Sequence, residues 1–78
     1  MDRELWAQTM AGELRAERGR KKLTYAELVE RTGMSKSSVI RYLDGERDIP
    51  MTALAKFCLA LDLTPAEVAA RVDARLNS

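Results

Sequence analysis

The segment GMSKSSVIRYLDG, residues 33–45, carries the most informative pattern in this sequence. At 3.6 residues per helical turn, Val39, Tyr42 and Leu43 share one face of a helix. The opposite face holds basic, hydroxyl, aliphatic and acidic side chains, namely Lys36, Ser37, Ile40, Arg41 and Asp44. The first face predicts packing into a core, and the second predicts contact with an external partner.

Residues 24–45 show the start and stop signals of two helices joined by a tight turn. Thr24 and Glu27 have the spacing of a capping box, which starts a helix. Gly33 is expected to end that helix, because the left-handed conformation needed there is freely available only to glycine. Ser35 is placed to cap the next helix, which Gly45 terminates. This order predicts a helix-turn-helix.

The apolar periodicity of the whole chain predicts an all-α fold in which residues 1–78 form a single domain. Trp6, Met10 and Leu14 recur every four residues and predict the buried stripe of the first helix. Met51 and Leu54 are predicted on the inward face of the fourth helix. We expect no strands and five helices, at about residues 3–21, 25–32, 36–43, 50–61 and 65–76.

Composition excludes several classes of function. The sequence contains no His and one Cys, so His-assisted catalytic sites and the usual zinc sites lack their residues. We therefore expect no enzyme, no catalytic or metal-binding residue, no cofactor and no small-molecule ligand. Cys58 is expected to be a buried residue rather than a reactive thiol. No apolar run could span a membrane and no signal peptide is evident, so we expect a cytoplasmic protein with no membrane partner.

Charge is unevenly distributed, although the net charge is only +1. Residues 15–47 hold nine Lys or Arg and five Asp or Glu, which gives +4. A positive central segment favours an anionic partner, and solvated helix faces are the plain alternative. On the outer face of the third helix, Arg and Lys could donate to guanine, Ser could donate or accept, and Ile could contact a thymine methyl. That face therefore suits the major groove of DNA.

The segment TYAELVERTGMSKSSVIRYLDGERDIPMTALAKFCLALDLTPAEV, residues 24–68, resembles the phage-repressor and Cro-type (XRE-like) helix-turn-helix family. ELRAERGRKK, residues 13–22, resembles the first helix of that family. The resemblance implies a compact five-helix domain of the lambda-repressor-like DNA-binding type. It also implies a small repressor, encoded by a phage or a bacterium, that binds a partly palindromic operator in double-stranded DNA as a homodimer.

The resemblance also assigns roles to individual residues. It implies base reading by four residues of the third helix, Lys36, Ser37, Ile40 and Arg41. It implies phosphate contact by five residues, Tyr25, Ser35, Ser38, Arg47 and Lys22. Leu43 stands where the family often has an acid that pairs with the Arg at position 18, so Arg18 is expected to serve a phosphate or another acid. Acids around Arg47 in the loop DGERD are expected to weaken DNA binding.

The fifth helix raises the question of dimerisation, because Val68, Val72 and Leu76 recur every four residues. Val68 is predicted to pack within the molecule. Val72 and Leu76 are predicted to contribute also to a dimer interface, together with the outward-facing Leu59. Two other functions stay open at this point. One is an antitoxin-type regulator that also binds a toxin, and the other is a protein-interaction module that has lost DNA reading.

Overall fold

The computed structural model of the chain describes residues 2–78, which form five helices and contain no strand. The helices are α1 (Arg3–Arg20), α2 (Tyr25–Thr32), α3 (Lys36–Leu43), α4 (Met51–Leu61) and α5 (Pro65–Leu76). The bounds of α2, α3 and α5 are those predicted. Within residues 2–78 the fold is therefore the expected all-α arrangement.

Two predicted helix ends were wrong by one residue. Helix α1 ends at Arg20 and Lys21 is its C-cap, because the chain turns at Lys22, which has a φ of 55°. Helix α4 begins at Met51 rather than Pro50. Pro50 is the N-cap of α4, since its ψ of 160° is extended.

The predicted capping signals are all present. Thr24 and Thr64 each form a complete capping box with the Glu three positions later. Ser35 accepts a hydrogen bond from the backbone N–H of Ser38 and so caps α3. Gly33 ends α2 in the left-handed conformation, with a φ of 72°. The bonds at Thr24 and Gly33 fix both ends of α2, and the bond at Ser35 fixes the start of α3, so that α2 and α3 form a helix-turn-helix.

The core joins all five helices around Phe57, which is fully buried. Leu14, Leu28 and Leu43 contribute to it from α1, α2 and α3, and each is fully buried. Helix α5 packs mainly on α1. Cys58 is buried as expected, and its burial raises the pKa of its thiol. The core thus holds α3 by its apolar face.

Three apolar positions differ from the prediction. Val72 is fully buried against the core, so its side chain cannot contribute to a dimer interface, and that part of the prediction was wrong. Met51 is 69% exposed, because it is the first residue of α4 and lies at the rim of an apolar groove that Trp6 and Leu54 also line. Trp6 is partly rather than fully buried. Val68 is buried within the molecule, as predicted.

Candidate nucleic-acid interface

Helix α3 presents two different faces. Its inner side chains Val39 and Leu43 are fully buried. Tyr42 is partly buried, with its ring edge-on to the ring of Phe57 at a centroid distance of 6.3 Å. The outer face carries Lys36, Ser37 and Arg41, all exposed, and the partly exposed Ile40. Packing therefore fixes which side chains of this helix can meet a partner.

The charged groups on the outer face of α3 have no acidic partner. Among residues 2–78, neither Lys36 nor Arg41 forms an ion pair or a side-chain hydrogen bond. The hydroxyls of the first turn lie close together, with Ser35 Oγ donating to Ser38 Oγ at 2.9 Å. Ser37 Oγ lies 3.4 Å from the same Ser35 Oγ. The outer face therefore offers two free cations beside a group of hydroxyls.

The N-terminal end of α2 is held by contacts with α1. The guanidinium of Arg18 donates to the carbonyl of Leu23 at 2.6 Å and lies 4.8 Å from the ring centroid of Tyr25. Tyr25 is partly exposed, so its hydroxyl remains a candidate for phosphate contact. The backbone N–H of Thr24 donates to Glu27 at 2.9 Å and lowers the pKa of that carboxyl. This end of α2 is therefore rigidly placed.

The role expected for Arg18 was wrong in one respect. Within residues 2–78 its guanidinium pairs with no acid, and it donates instead to the carbonyl of Leu23 and lies against the ring of Tyr25. Its Nε is buried and, within residues 2–78, lacks a hydrogen-bond partner. Arg18 therefore joins α1 to the start of α2 through Leu23 and Tyr25.

A second arginine of α1, Arg15, contacts α3, and this contact was not predicted from the sequence. Arg15 donates from Nη1 to the carbonyl of Leu43, the last residue of α3. A cation at a helix C-terminus satisfies an unpaired carbonyl and opposes the negative end of the helix dipole. Arg15 thus ties the C-terminal end of α3 to α1. The sequence gives no signal for this contact beyond the position of Arg15 one residue after the buried Leu14.

Arg47 lies in the loop between α3 and α4, where it is exposed. Its guanidinium lies 5.7 Å from the ring centroid of Tyr42, within the range of a cation–π contact. Among residues 2–78 it forms no ion pair, although Glu46 and Asp48 are its neighbours in sequence. Stacking on Tyr42 therefore places this cation beside the C-terminal end of α3.

Two buried acids of α1 were also missed. Glu13 and Glu17 are 5% and 6% exposed, and they pair with Arg75 at 2.6 Å and Arg71 at 2.8 Å. The pKa of Glu17 is lowered to about 2, mainly by the hydrogen bond from Arg71. Burial of the carboxylate acts in the opposite direction, because it disfavours the charged form. Both acids share a face with Met10, and that helical spacing is the signal that could have found them.

The candidate dimer residues do not form a common set. Leu59 is 84% exposed on α4, as predicted. Leu76 is partly buried and packs against the core, whereas Val72 is wholly inside it, as noted above. Leu59 is therefore the member of the predicted set that is most available to a second chain.

Other kinds of site are not evident in the part of the chain that the structure describes. No group of three or more Cys, Asp or Glu side chains lies close enough to hold a metal ion among residues 2–78. In the same range, no helix combines the length and the apolar character needed to cross a membrane.

Comparison with known proteins identifies the segment that contains the outer face of α3. Residues 9–70 match a family model described as a helix-turn-helix domain. The searches of curated proteins and of solved structures found no match to the chain. The matched segment begins within α1 and ends within α5, so it includes α2 and α3 completely.

Proposed function

The chain belongs to the helix-turn-helix domain family, and we propose that it is a sequence-specific transcriptional regulator that reads double-stranded DNA with α3. Membership in this family indicates a DNA-binding domain, as the sequence resemblance implied. We further propose that all five helices act as one DNA-binding domain. The more specific role is that of a small repressor of the Cro or immunity type.

The observation that carries this proposal is the contrast between the two faces of α3. Val39 and Leu43 anchor the helix in the core, whereas Lys36 and Arg41 are exposed and unpaired within residues 2–78. Because these two side chains form no ion pair in the described part of the chain, neither has to break one in order to bind DNA. Asp44 lies three positions after Arg41 on the same face, yet the two form no ion pair within residues 2–78.

Base reading is proposed for the side chains of the outer face. Arg41 and Lys36 can donate to O6 and N7 of guanine, and Ser37 can donate to or accept from a base edge. Ile40 is partly exposed and offers an apolar surface to a thymine methyl. Together these groups supply the donors and the apolar contact that discriminate base pairs in the major groove.

Phosphate contact is proposed for residues around the reading face, namely Tyr25, Ser35, Ser38, Arg47 and Lys22. The support is that each is at least partly exposed. Tyr25 and Arg47 are also held by stacking, on Arg18 and Tyr42 respectively. Such contacts fix the orientation of the protein on the duplex without adding sequence information. The acids beside Arg47 support the expectation of moderate affinity.

Homodimerisation on DNA is proposed as part of the same function. Two copies would place their α3 helices about 34 Å apart, so that each reads one half of a partly palindromic operator. Leu59 is the best supported contact. It is 84% exposed, and burial of this apolar side chain against a second chain would stabilise a dimer. Leu76 is a secondary candidate through its exposed part. Repression would follow from occupation of a promoter.

A titration of isotope-labelled protein with duplex DNA, followed by NMR, tests the assignment of the surface. We expect the amide signals of residues 35–41 and of Tyr25 to shift most, because they lie at the proposed contact. Signals of residues 65–71, which lie outside both the proposed DNA contact and the proposed dimer contacts, should change little. Shifts centred on residues 65–71, or no shifts at low salt, would contradict the proposal.

A charge variant sharpens this experiment. Arg41→Gln should reduce the shifts along α3, whereas Lys56→Gln should leave them as in the wild type. Lys56 is the matched control because it is an exposed cation on α4, outside the proposed interface. If both variants behave alike, the contact depends on overall charge and not on the face of α3.

A further inference from the structure

The C-terminal end of α1 carries four cations in five residues, Arg18, Arg20, Lys21 and Lys22, which we call the α1 basic cluster. The cluster immediately precedes Tyr25, the first residue of α2 and a proposed phosphate contact. Left unpaired, this cluster would attract any duplex regardless of sequence.

Glu17 forms ion pairs with the two middle cations of the α1 basic cluster. One of its carboxylate oxygens lies 2.9 Å from Arg20 Nη2, and the other lies 3.5 Å from Lys21 Nζ. The first oxygen also accepts a bond of 2.8 Å from Arg71 of α5. Because Glu17 is buried on one side and bonded by three cations, it holds Arg20 and Lys21 toward α4 and α5. Lys21 also donates to the carbonyl of Leu61, at the end of α4.

The two ends of the cluster are arranged differently. Arg18 is engaged by the carbonyl of Leu23 and the ring of Tyr25. Lys22 is exposed, has a φ of 55°, and forms no ion pair among residues 2–78. Of the four cations, Lys22 is therefore the one whose charge is neither paired nor bonded within the described part of the chain.

We infer that Glu17 is a specificity-determining residue, which withdraws Arg20 and Lys21 from DNA phosphates and so limits sequence-independent binding. The inference rests on the proposed DNA-binding function. Specificity is the ratio of specific to non-specific affinity, so a lower non-specific term raises it without any base contact. Lys22 then remains as the single phosphate-binding cation of the α1 basic cluster.

The experiment measures the affinity of the protein for a random-sequence duplex as a function of salt. The slope of log K against log salt concentration is about −0.9 per phosphate neutralised. Glu17→Gln should steepen the slope by about one to two units and raise the affinity about tenfold near 0.1 M salt, since it frees Arg20 and leaves Lys21 held only by the carbonyl of Leu61. Circular dichroism verifies that each variant is folded.

Glu13→Gln is the matched control. Glu13 is a buried acid of the same helix that pairs with Arg75 at 2.6 Å, one turn away from the cluster. Its loss removes a comparable contact between α1 and α5 but frees no cation of the α1 basic cluster. We expect its slope to equal that of the wild type. Equal steepening in both variants would assign the effect to loosening of α5 and overturn the inference.

A second arm leaves Glu17 in place, so it remains decisive if the Gln variant fails to fold. The double variant Arg20→Gln/Lys21→Gln should keep the wild-type slope, because those cations already face Glu17. Lys22→Gln should flatten the slope by about one unit. A flatter slope in the double variant would mean that Arg20 and Lys21 contact DNA, and the inference would be wrong. Absence of any binding by the wild type would instead overturn the proposed function together with the inference.

Discussion

Replacement of Glu17 by Gln should destabilise the fold and remove a specific dependence of stability on pH. Glu17 joins α1 to α5 through Arg71, at 2.8 Å, and also pairs with Arg20 and Lys21. Gln keeps the size and an accepting oxygen but removes the charge. The variant therefore isolates the electrostatic contribution of one buried carboxylate.

The magnitude follows from the pKa of Glu17, which the ion pairs lower from 4.5 to about 2. Such a shift corresponds to a stabilisation of about 3 kcal/mol if none of it is screened. The side chains of Arg71 and Arg20 are 36% and 54% exposed, so water screens much of the attraction. We therefore expect Glu17→Gln to cost about 1–2 kcal/mol at pH 7.

The sign of the pH dependence follows from the same shift. The pKa of Glu17 is lower in the folded than in the unfolded state, so its stabilisation is complete above about pH 4.5. It declines as the pH falls below that value and is lost near pH 2. Urea unfolding of the wild type and the variant between pH 7 and pH 2.5 measures the difference at each pH.

Glu30→Gln is the control for this series, because Glu30 is exposed and forms no ion pair within residues 2–78. We expect it to change the free energy of unfolding by less than about 0.5 kcal/mol. A difference between the wild type and Glu17→Gln that stays constant from pH 7 to pH 2.5 would refute the reasoning. So would a Glu17→Gln protein as stable as the wild type at pH 7.

Three further outcomes are expected. Arg41→Ala should weaken binding to the best DNA site by about 1–3 kcal/mol and relax one base position, as titrations against single-base variants of that site would measure. Gly33→Ala should cost about 1–2 kcal/mol in urea unfolding, because a Cβ meets nothing within 4 Å but the φ of 72° is unfavourable for Ala. Leu59→Ser should leave monomer stability nearly unchanged yet reduce dimer formation on DNA, which sedimentation of the complex would detect; an unaltered dimer would remove Leu59 from the interface.

Local signals explain why most of the fold could be predicted. Capping residues such as Thr24 and Thr64 act on the nearest turn of the chain, so their meaning does not depend on distant partners. The alternation of faces in α3 is likewise a property of eight consecutive residues. The two errors at helix ends, at Lys21 and Pro50, fall where neighbouring residues could extend the helix by one position.

Contacts between distant segments explain what could not be predicted. Glu17 meets Arg71, which is 54 positions away, and a charged residue in an amphipathic pattern gives no sign of such a partner. Val72 occupies an apolar position that suits either a core or an interface, and only the packing of α5 on α1 decides between them. The hydrogen bond from Arg18 to the carbonyl of Leu23 depends on the turn at Lys22, and the positive φ of Lys22 could not be predicted from the sequence.

Some features of the candidate interface could be predicted from the sequence, and others required the structure. Exposure of Lys36 and Arg41 follows from helical periodicity and could be read from the sequence. Their lack of ion pairs, and the contact of Arg15 with the end of α3, required the arrangement of the helices. Contact of Lys36 and Arg41 with DNA is proposed, and the binding experiments test it.

The most direct test of the central claim is selection of bound fragments from a pool of random duplex DNA, followed by sequencing. We expect an enriched motif made of two inverted half-sites about one helical turn apart, in which each copy of α3 reads one half. Enrichment of a single half-site would retain base reading but contradict the homodimer. Binding without any enriched sequence, or no binding at low salt, would contradict the claim that α3 reads DNA.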